Sequence, residues 1–160
     1  AFNESNIKIV DNEKLVKINN KINSTSKIYC SHLRRSIETA KLLVSEEASL
    51  KKNKVFNEFD LYFPRFPWIK LSFNAWVVIS RLIWLLGLRN DSNVETFESA
   101  KKRSKQAANI LTESCTSEKE VVLIGHGLLN RFIGKTLLEN SWELNEKSGR
   151  KYLDFNIYIK

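Results

Sequence analysis

Two short stretches of this sequence carry side chains suited to holding an anion. In Val121-Val122-Leu123-Ile124-Gly125-His126-Gly127 a continuous apolar run ends in a histidine set between glycines, and a helical pattern follows through Leu129, Phe132, Ile133 and Leu137. An apolar run that short reads as a strand buried on both faces. Ligands of open α/β sheets bind beyond the carboxyl ends of strands, and the free backbone N–H groups that open a helix attract anions. His126 and Gly127 are therefore placed to hold a phosphate. A histidine serving only as a structural hydrogen-bonding group at a strand end fits the same local pattern.

The stretch Ile28-Tyr29-Cys30-Ser31-His32-Leu33-Arg34-Arg35-Ser36-Ile37-Glu38-Thr39-Ala40 repeats the arrangement of short strand, polar turn and helix. An arginine in the first turn of that helix directs a planar fork of donors at the same rim, which suits bidentate contact with phosphate. Arg34 and Arg35 compete for this part, because one of two adjacent arginines can simply be solvated.

These residues need elements to position them. Leu15, Ile18 and Ile22 recur at helical spacing and predict a helix over about 13–23, with Asp11 or Asn12 as its cap. Lys27 to Ser31 reads as a short strand, and Leu33, Ile37, Ala40 and Val44 share one face of the helix that follows. Val55 to Phe59 reads as a strand or extended segment leading to Pro64 and Pro67, which suit neither a helix interior nor a central strand. Phe73 to Leu88 is the most apolar part of the chain but falls short of a bilayer span, so a buried or partly interfacial helix ending at Gly87 is expected. Phe97, Ala100, Ala107 and Leu111 predict an amphipathic helix over about 94–114. Leu153, Phe155, Ile157 and Ile159 alternate with polar residues, as in a half-buried strand. Strands alternating with helices predict a three-layer α/β fold, a mainly parallel sheet with helices on both faces.

A chain of 160 residues that is 42% hydrophobic can bury one sizeable core, so residues 1–160 are expected to form a single domain. The net charge of +8 and pI near 9.5 favour anionic partners. The densest basic runs, Lys51-Lys52-Asn53-Lys54 and Lys101-Lys102-Arg103, fall in a polar connection and on a helix face, and read as solvated surface. Neither zinc-finger spacing nor a basic aromatic strand pattern is present, which argues against nucleic acid as a partner. Two cysteines, Cys30 and Cys115, fit neither a disulfide framework nor a metal site. With a polar amino end in place of a secretory signal, a cytoplasmic location is expected.

The run Cys30 to Ala40 resembles the histidine-phosphatase segment Ser-Ser-x-Leu-x-Arg-x-x-x-Thr-Ala, and Gly125-His126-Gly127 is similar to the second histidine motif of that phosphoglycerate-mutase-like superfamily. The resemblance covers nearly the whole chain from about Asp11. It implies a phosphate pocket in which Arg35 clamps the phosphate and His126 polarises the phosphoryl group. Glu58 would be the proton donor to the leaving group, with Asp60 a nearby competitor. It further implies a phosphorylated small molecule as substrate, no cofactor or metal, and a small helical cap over residues 59–93 with Trp76, Trp84 or Phe66 shaping its specificity.

The superfamily opens with a strand ending in Arg-His-Gly, whose histidine attacks phosphorus, and this sequence holds no such triplet. Its two histidines are His32 and His126, and His32 falls at a variable turn position. Covalent phosphoryl transfer needs a positioned neutral imidazole in line with the leaving group. The expectation is therefore a domain that binds phosphate and turns it over poorly, the nucleophile belonging to a segment lost from the amino end; the sequence contains no methionine. The competing readings are a pseudoenzyme that binds phosphate and a basic module that docks on an acidic membrane through the apolar 76–88 helix. Under the phosphatase reading, membrane binding is not expected.

Overall fold

The computed structural model describes residues 12–22, 27–43, 50–60, 71–88, 94–149 and 151–160; Asp11, Val44, Pro64, Phe66 and Pro67 lie outside them. In chain order the elements are α1 (Asn12–Asn19), β1 (Lys27–Cys30), α2 (Arg34–Leu43), β2 (Leu50–Lys52), a 3-10 turn (Lys54–Phe56), α3 (Phe73–Leu85), α4 (Phe97–Ser117), β3 (Val121–Ile124), α5 (Gly127–Glu139), β4 (Glu143–Lys147) and β5 (Asn156–Ile159). The fold is α/β, built on a parallel three-stranded sheet. The chain divides into two units, residues 1–58 with 104–160, and residues 59–103.

In the larger unit β1 is the middle strand, and both β2 and β3 pair with it in parallel, Ile28 opposite Leu50 and Val122. Its position explains its composition: Ile28, Tyr29 and Cys30 are all buried, as parallel pairing on both sides demands. The crossovers through α2 and α4 leave in opposite directions along the sheet, and right-handed connections then place these helices on opposite faces. The α4 face is marked by two contacts from alternate residues of β1. Tyr29 Oη lies 2.7 Å from Ser114 Oγ, and Lys27 pairs with Glu118 at 3.5 Å.

The two edges of this sheet differ in character. The β2 edge is three residues long and carries exposed Lys51 and Lys52, a composition that discourages further pairing. Those lysines were expected in a polar connection, and they form a strand instead. The β3 edge is entirely apolar, and among the described residues no strand pairs with its outer side. Its four side chains are half-buried, a correction to the expectation of burial on both faces; among the described residues this strand is flanked on one side alone.

Other departures have local causes. Val55 to Phe59 is not a strand: Asn53 caps a 3-10 turn by accepting from Val55 N–H at 3.0 Å, which buries Val55 and Phe56. The last strand begins at Asn156, because Leu153 adopts a left-handed turn conformation (φ 62°) whose neighbour Asp154 accepts from Lys151 N–H. β5 pairs antiparallel with β4 across a register shift between Leu144 and Glu146. The expected alternation holds at Asn156, exposed, and Ile157, half-buried, and departs at the end of the strand, where Ile159 is 47% exposed and Tyr158 is turned against α5.

In the smaller unit Trp84 is buried between Phe59 and Phe97, with ring centroids 5.4 and 5.2 Å away, and its indole N–H donates to Glu95 O at 2.7 Å. Arg103 stacks on Phe59 and pairs with Glu95 at 2.6 Å. α3 ends at Leu85 with Leu86 as its cap, and Gly87, next in the chain, turns away with a φ of 66° that suits a residue without a side chain. Of the two alternatives expected, a buried or a partly interfacial helix, the buried one does not hold: of the α3 residues only Ser80 and Trp84 are buried, while Phe73, Val78, Leu82 and Leu85 stand exposed.

Gly134 of α5 is buried against Tyr158 Oη, and a Cβ added there would fall inside contact distance. Gly134→Ala should cost about 1–3 kcal/mol in urea unfolding. Tyr158→Phe in the same chain should recover a good part of that loss, and equal costs in both backgrounds would show that the hydroxyl is not the obstacle.

Candidate functional site

Parallel pairing of β1 with β3 sets Cys30 opposite Ile124, so the residues that follow, Ser31 and Gly125-His126, emerge side by side at one rim. A single side chain fastens the two ends together. Ser36 Oγ donates to Ile124 O at 2.5 Å and accepts from Ser31 N–H at 3.2 Å.

His126 occupies the N-cap position of α5 with extended backbone, yet its side chain does not cap the helix. The ring turns instead toward β1 and α2, with Nε2 2.7 Å from Ser31 Oγ and Nδ1 3.3 Å from Arg35 Nε. The capping work falls to Glu58, which accepts from Leu128 N–H at 3.4 Å and Leu129 N–H at 3.2 Å. A carboxylate at this end of a helix is favoured by the open N–H groups and the helix dipole. Gly127 begins the same turn and is exposed.

The competition between the arginines resolves by geometry. Arg34 forms an exposed i,i+4 ion pair with Glu38 at 2.6 Å, and Arg35 reaches the imidazole. The carboxylate at the start of α5 is Glu58, while Asp60 belongs to the smaller unit, where its carbonyl receives Arg81 at 3.3 Å. His32 is exposed; its backbone N–H donates to Asn57 Oδ1 at 2.9 Å. That bond ties the β1–α2 turn to the segment bearing Glu58. Sequence reasoning missed Ser31, Ser36 and Asn57. Ser31 and Ser36 lie inside the second stretch, and a small hydroxyl residue just beyond a buried strand was the available signal. Among the described residues, no group of three or more His, Cys, Asp or Glu is arranged to hold a metal ion.

His126 is 7% exposed. Burial and then the nearby Arg35 guanidinium push its pKa down to about 4, with Glu58 acting weakly in the opposite sense. The imidazole is neutral near pH 7. What the rim presents is a neutral histidine, an arginine fork and a helix start held by a carboxylate, a set able to bind and polarise an anion.

A family model described as histidine phosphatase superfamily (branch 1) matches residues 14–152, and the chain belongs to that superfamily. Among solved structures it is similar to the product of the open reading frame Rv3214 from Mycobacterium tuberculosis, at 19% identity and a TM-score of 0.54 over 75% of this chain and 58% of that one. It is also similar to mycobacterial hydrolase 1, at 21% identity and a TM-score of 0.53 over 79% of this chain and 62% of that one. The chain thus spans less than two thirds of either structure's length. A comparison with curated proteins finds no match.

The depressed pKa has a consequence for stability. Between pH 6.5 and about 4 the unfolded chain takes up a proton at this position and the folded chain does not. The stability contributed above pH 6.5 is therefore lost as pH falls toward 4, by up to about 3 kcal/mol. Urea unfolding at pH 7 and pH 4.5 should show a smaller loss in His126→Gln than in the unaltered chain; identical losses would contradict a buried neutral imidazole.

Proposed function

We propose that this domain binds the phosphate group of a phosphorylated small molecule between Arg35 and His126, and that the complete protein hydrolyses a phosphate monoester through a phosphohistidine. The observation that carries this reading is the convergence of Arg35 Nε and His126 Nδ1, 3.3 Å apart at the rim where β1 and β3 end. Gly127 and the first turn of α5 border the phosphate in this arrangement.

The attacking histidine would come from a further strand added along β3. Two observations support that placement. Among the described residues the outer side of β3 is apolar and unpaired, and Asn130 Oδ1, buried beside Gly125, receives no donor from them. In the proposed reaction the histidine nitrogen attacks phosphorus and the bond to the leaving oxygen breaks. Glu58, in its protonated form, gives that oxygen a proton. Water then attacks the phosphohistidine, the N–P bond breaks and inorganic phosphate leaves. Residues 59–93 act as the cap that selects the rest of the substrate. Without the nucleophile, the domain binds phosphate and turns it over poorly.

Calorimetric titration with inorganic phosphate should give saturable binding to the chain, weakened about tenfold or more in Arg35→Ala, since charge-assisted contacts contribute about 1.5–3 kcal/mol. Absence of binding, or an unaffected Arg35→Ala variant, would remove the basis of the proposal. For the complete protein, rapid quenching with a labelled monoester should trap an acid-labile, base-stable phosphoenzyme.

One observation favours a second reading. Val78, Leu82 and Leu85 form an exposed apolar stripe along α3, the kind of face with which a helix lies on an acidic membrane surface. None of the helices among the described residues is long and apolar enough to cross a membrane. Co-sedimentation with phosphatidylserine vesicles at low and moderate salt separates the readings: the phosphatase reading expects no lipid-dependent pelleting, and pelleting that Leu82→Glu abolishes would favour the surface-binding one.

A further inference from the structure

We propose that Ser31 is a positioning residue: its hydroxyl oxygen holds the Nε2–H tautomer of His126 and leaves Nδ1 as the atom that takes up a proton when an anion binds. The argument starts from Arg35. A guanidinium has donors and no acceptor, so the contact between Arg35 Nε and His126 Nδ1 at 3.3 Å requires an unprotonated Nδ1. The single proton of the neutral ring then sits on Nε2. The partner of Nε2 is Ser31 Oγ at 2.7 Å, and that oxygen must accept.

Ser31 is built for accepting. It is fully buried, and its Oγ also receives Leu33 N–H at 3.2 Å, so both lone pairs are in use. Its own backbone N–H is held by Ser36 Oγ, which in turn donates to Ile124 O, two residues before His126. The hydrogen bonds therefore close a ring that starts and ends on the strand and turn carrying the imidazole. Rotation of the ring would break the Ser31 bond and leave a buried N–H without a partner, at a cost of about 1–3 kcal/mol.

The charged groups facing His126 are Arg35 from α2 and Glu58 from the segment after the 3-10 turn. A phosphate arriving at Arg35 offsets the guanidinium and takes over the Nε–H that Nδ1 had accepted, which breaks the Arg35–His126 bond and favours protonation of Nδ1 while Ser31 keeps Nε2–H in place. This step rests on the phosphate-binding reading of the site; the tautomer assignment does not.

The test is nitrogen-15 NMR of histidine-labelled chain at pH 7, with His32→Gln used to assign the two side chains. Without phosphate, His126 should show a protonated Nε2 and an unprotonated Nδ1. Ser31→Ala should move both resonances toward averaged values, and Ser31→Thr, which keeps the hydroxyl, should restore the pattern. An Nδ1–H tautomer in the unaltered chain would overturn the proposal, and this reading does not depend on any variant folding. So would a Ser31→Ala protein, folded by its amide spectrum, with an unchanged tautomer. Added inorganic phosphate should then shift Nδ1 to its protonated position with little change at Nε2. If phosphate does nothing while the tautomer is as stated, the binding reading fails and the role of Ser31 stands; protonation arriving first at Nε2 would overturn that role.

Discussion

The site depends on the parallel pairing of β1 with β3. Because Cys30 and Ile124 are partners, Ser31 and His126 leave the sheet as neighbours, and the Ser36 hydroxyl needs only one short bond to each strand end to hold them there. The same pairing makes β1 a central strand, and Ile28, Tyr29 and Cys30 are buried beneath the rim. A polar clasp set on a dry sheet is an economical way to hold an imidazole, since the hydrogen bonds that orient it are shielded from water.

Much of this was legible in the sequence where local pattern and tertiary role agree. The strand at Val121–Ile124 and the helix opened by Arg34 stand where the pattern put them, and the helix that follows His126 also buries the residues expected, Leu129, Ile133 and Leu137. Arg35 and His126 could be placed at one rim because both follow parallel strands. The residues' own pattern left Arg34 and Arg35 in competition and only the resemblance pointed to Arg35, since the choice turns on whether Glu38 or the imidazole is nearer, a fact of helix rotation.

Elsewhere local signals misled because other constraints outweighed them. The β-branched and aromatic residues Val55 and Phe56 suggested a strand, and the Asn53 side chain converted that segment to a 3-10 turn. At the end of the chain the alternation of apolar residues put Ile159 inward. The alternation holds as far as Ile157; at the last two positions the closeness of Gly134 to Tyr158 Oη accompanies an exposed Ile159. Glu58 was expected as an acid, and its contact with two amides of α5 could not be foreseen from a lone carboxylate that chain order leaves 70 residues from Leu128.

That contact ties together parts of the chain that lie far apart in sequence. A helix favours a carboxylate at its first turn, where open N–H groups gather, and here the group is lent by the segment after the 3-10 turn rather than by the helix itself. Since His126 is the residue from which α5 springs, the carboxylate and the imidazole are moored to one helical turn, and the placing of either is a condition on the placing of the other.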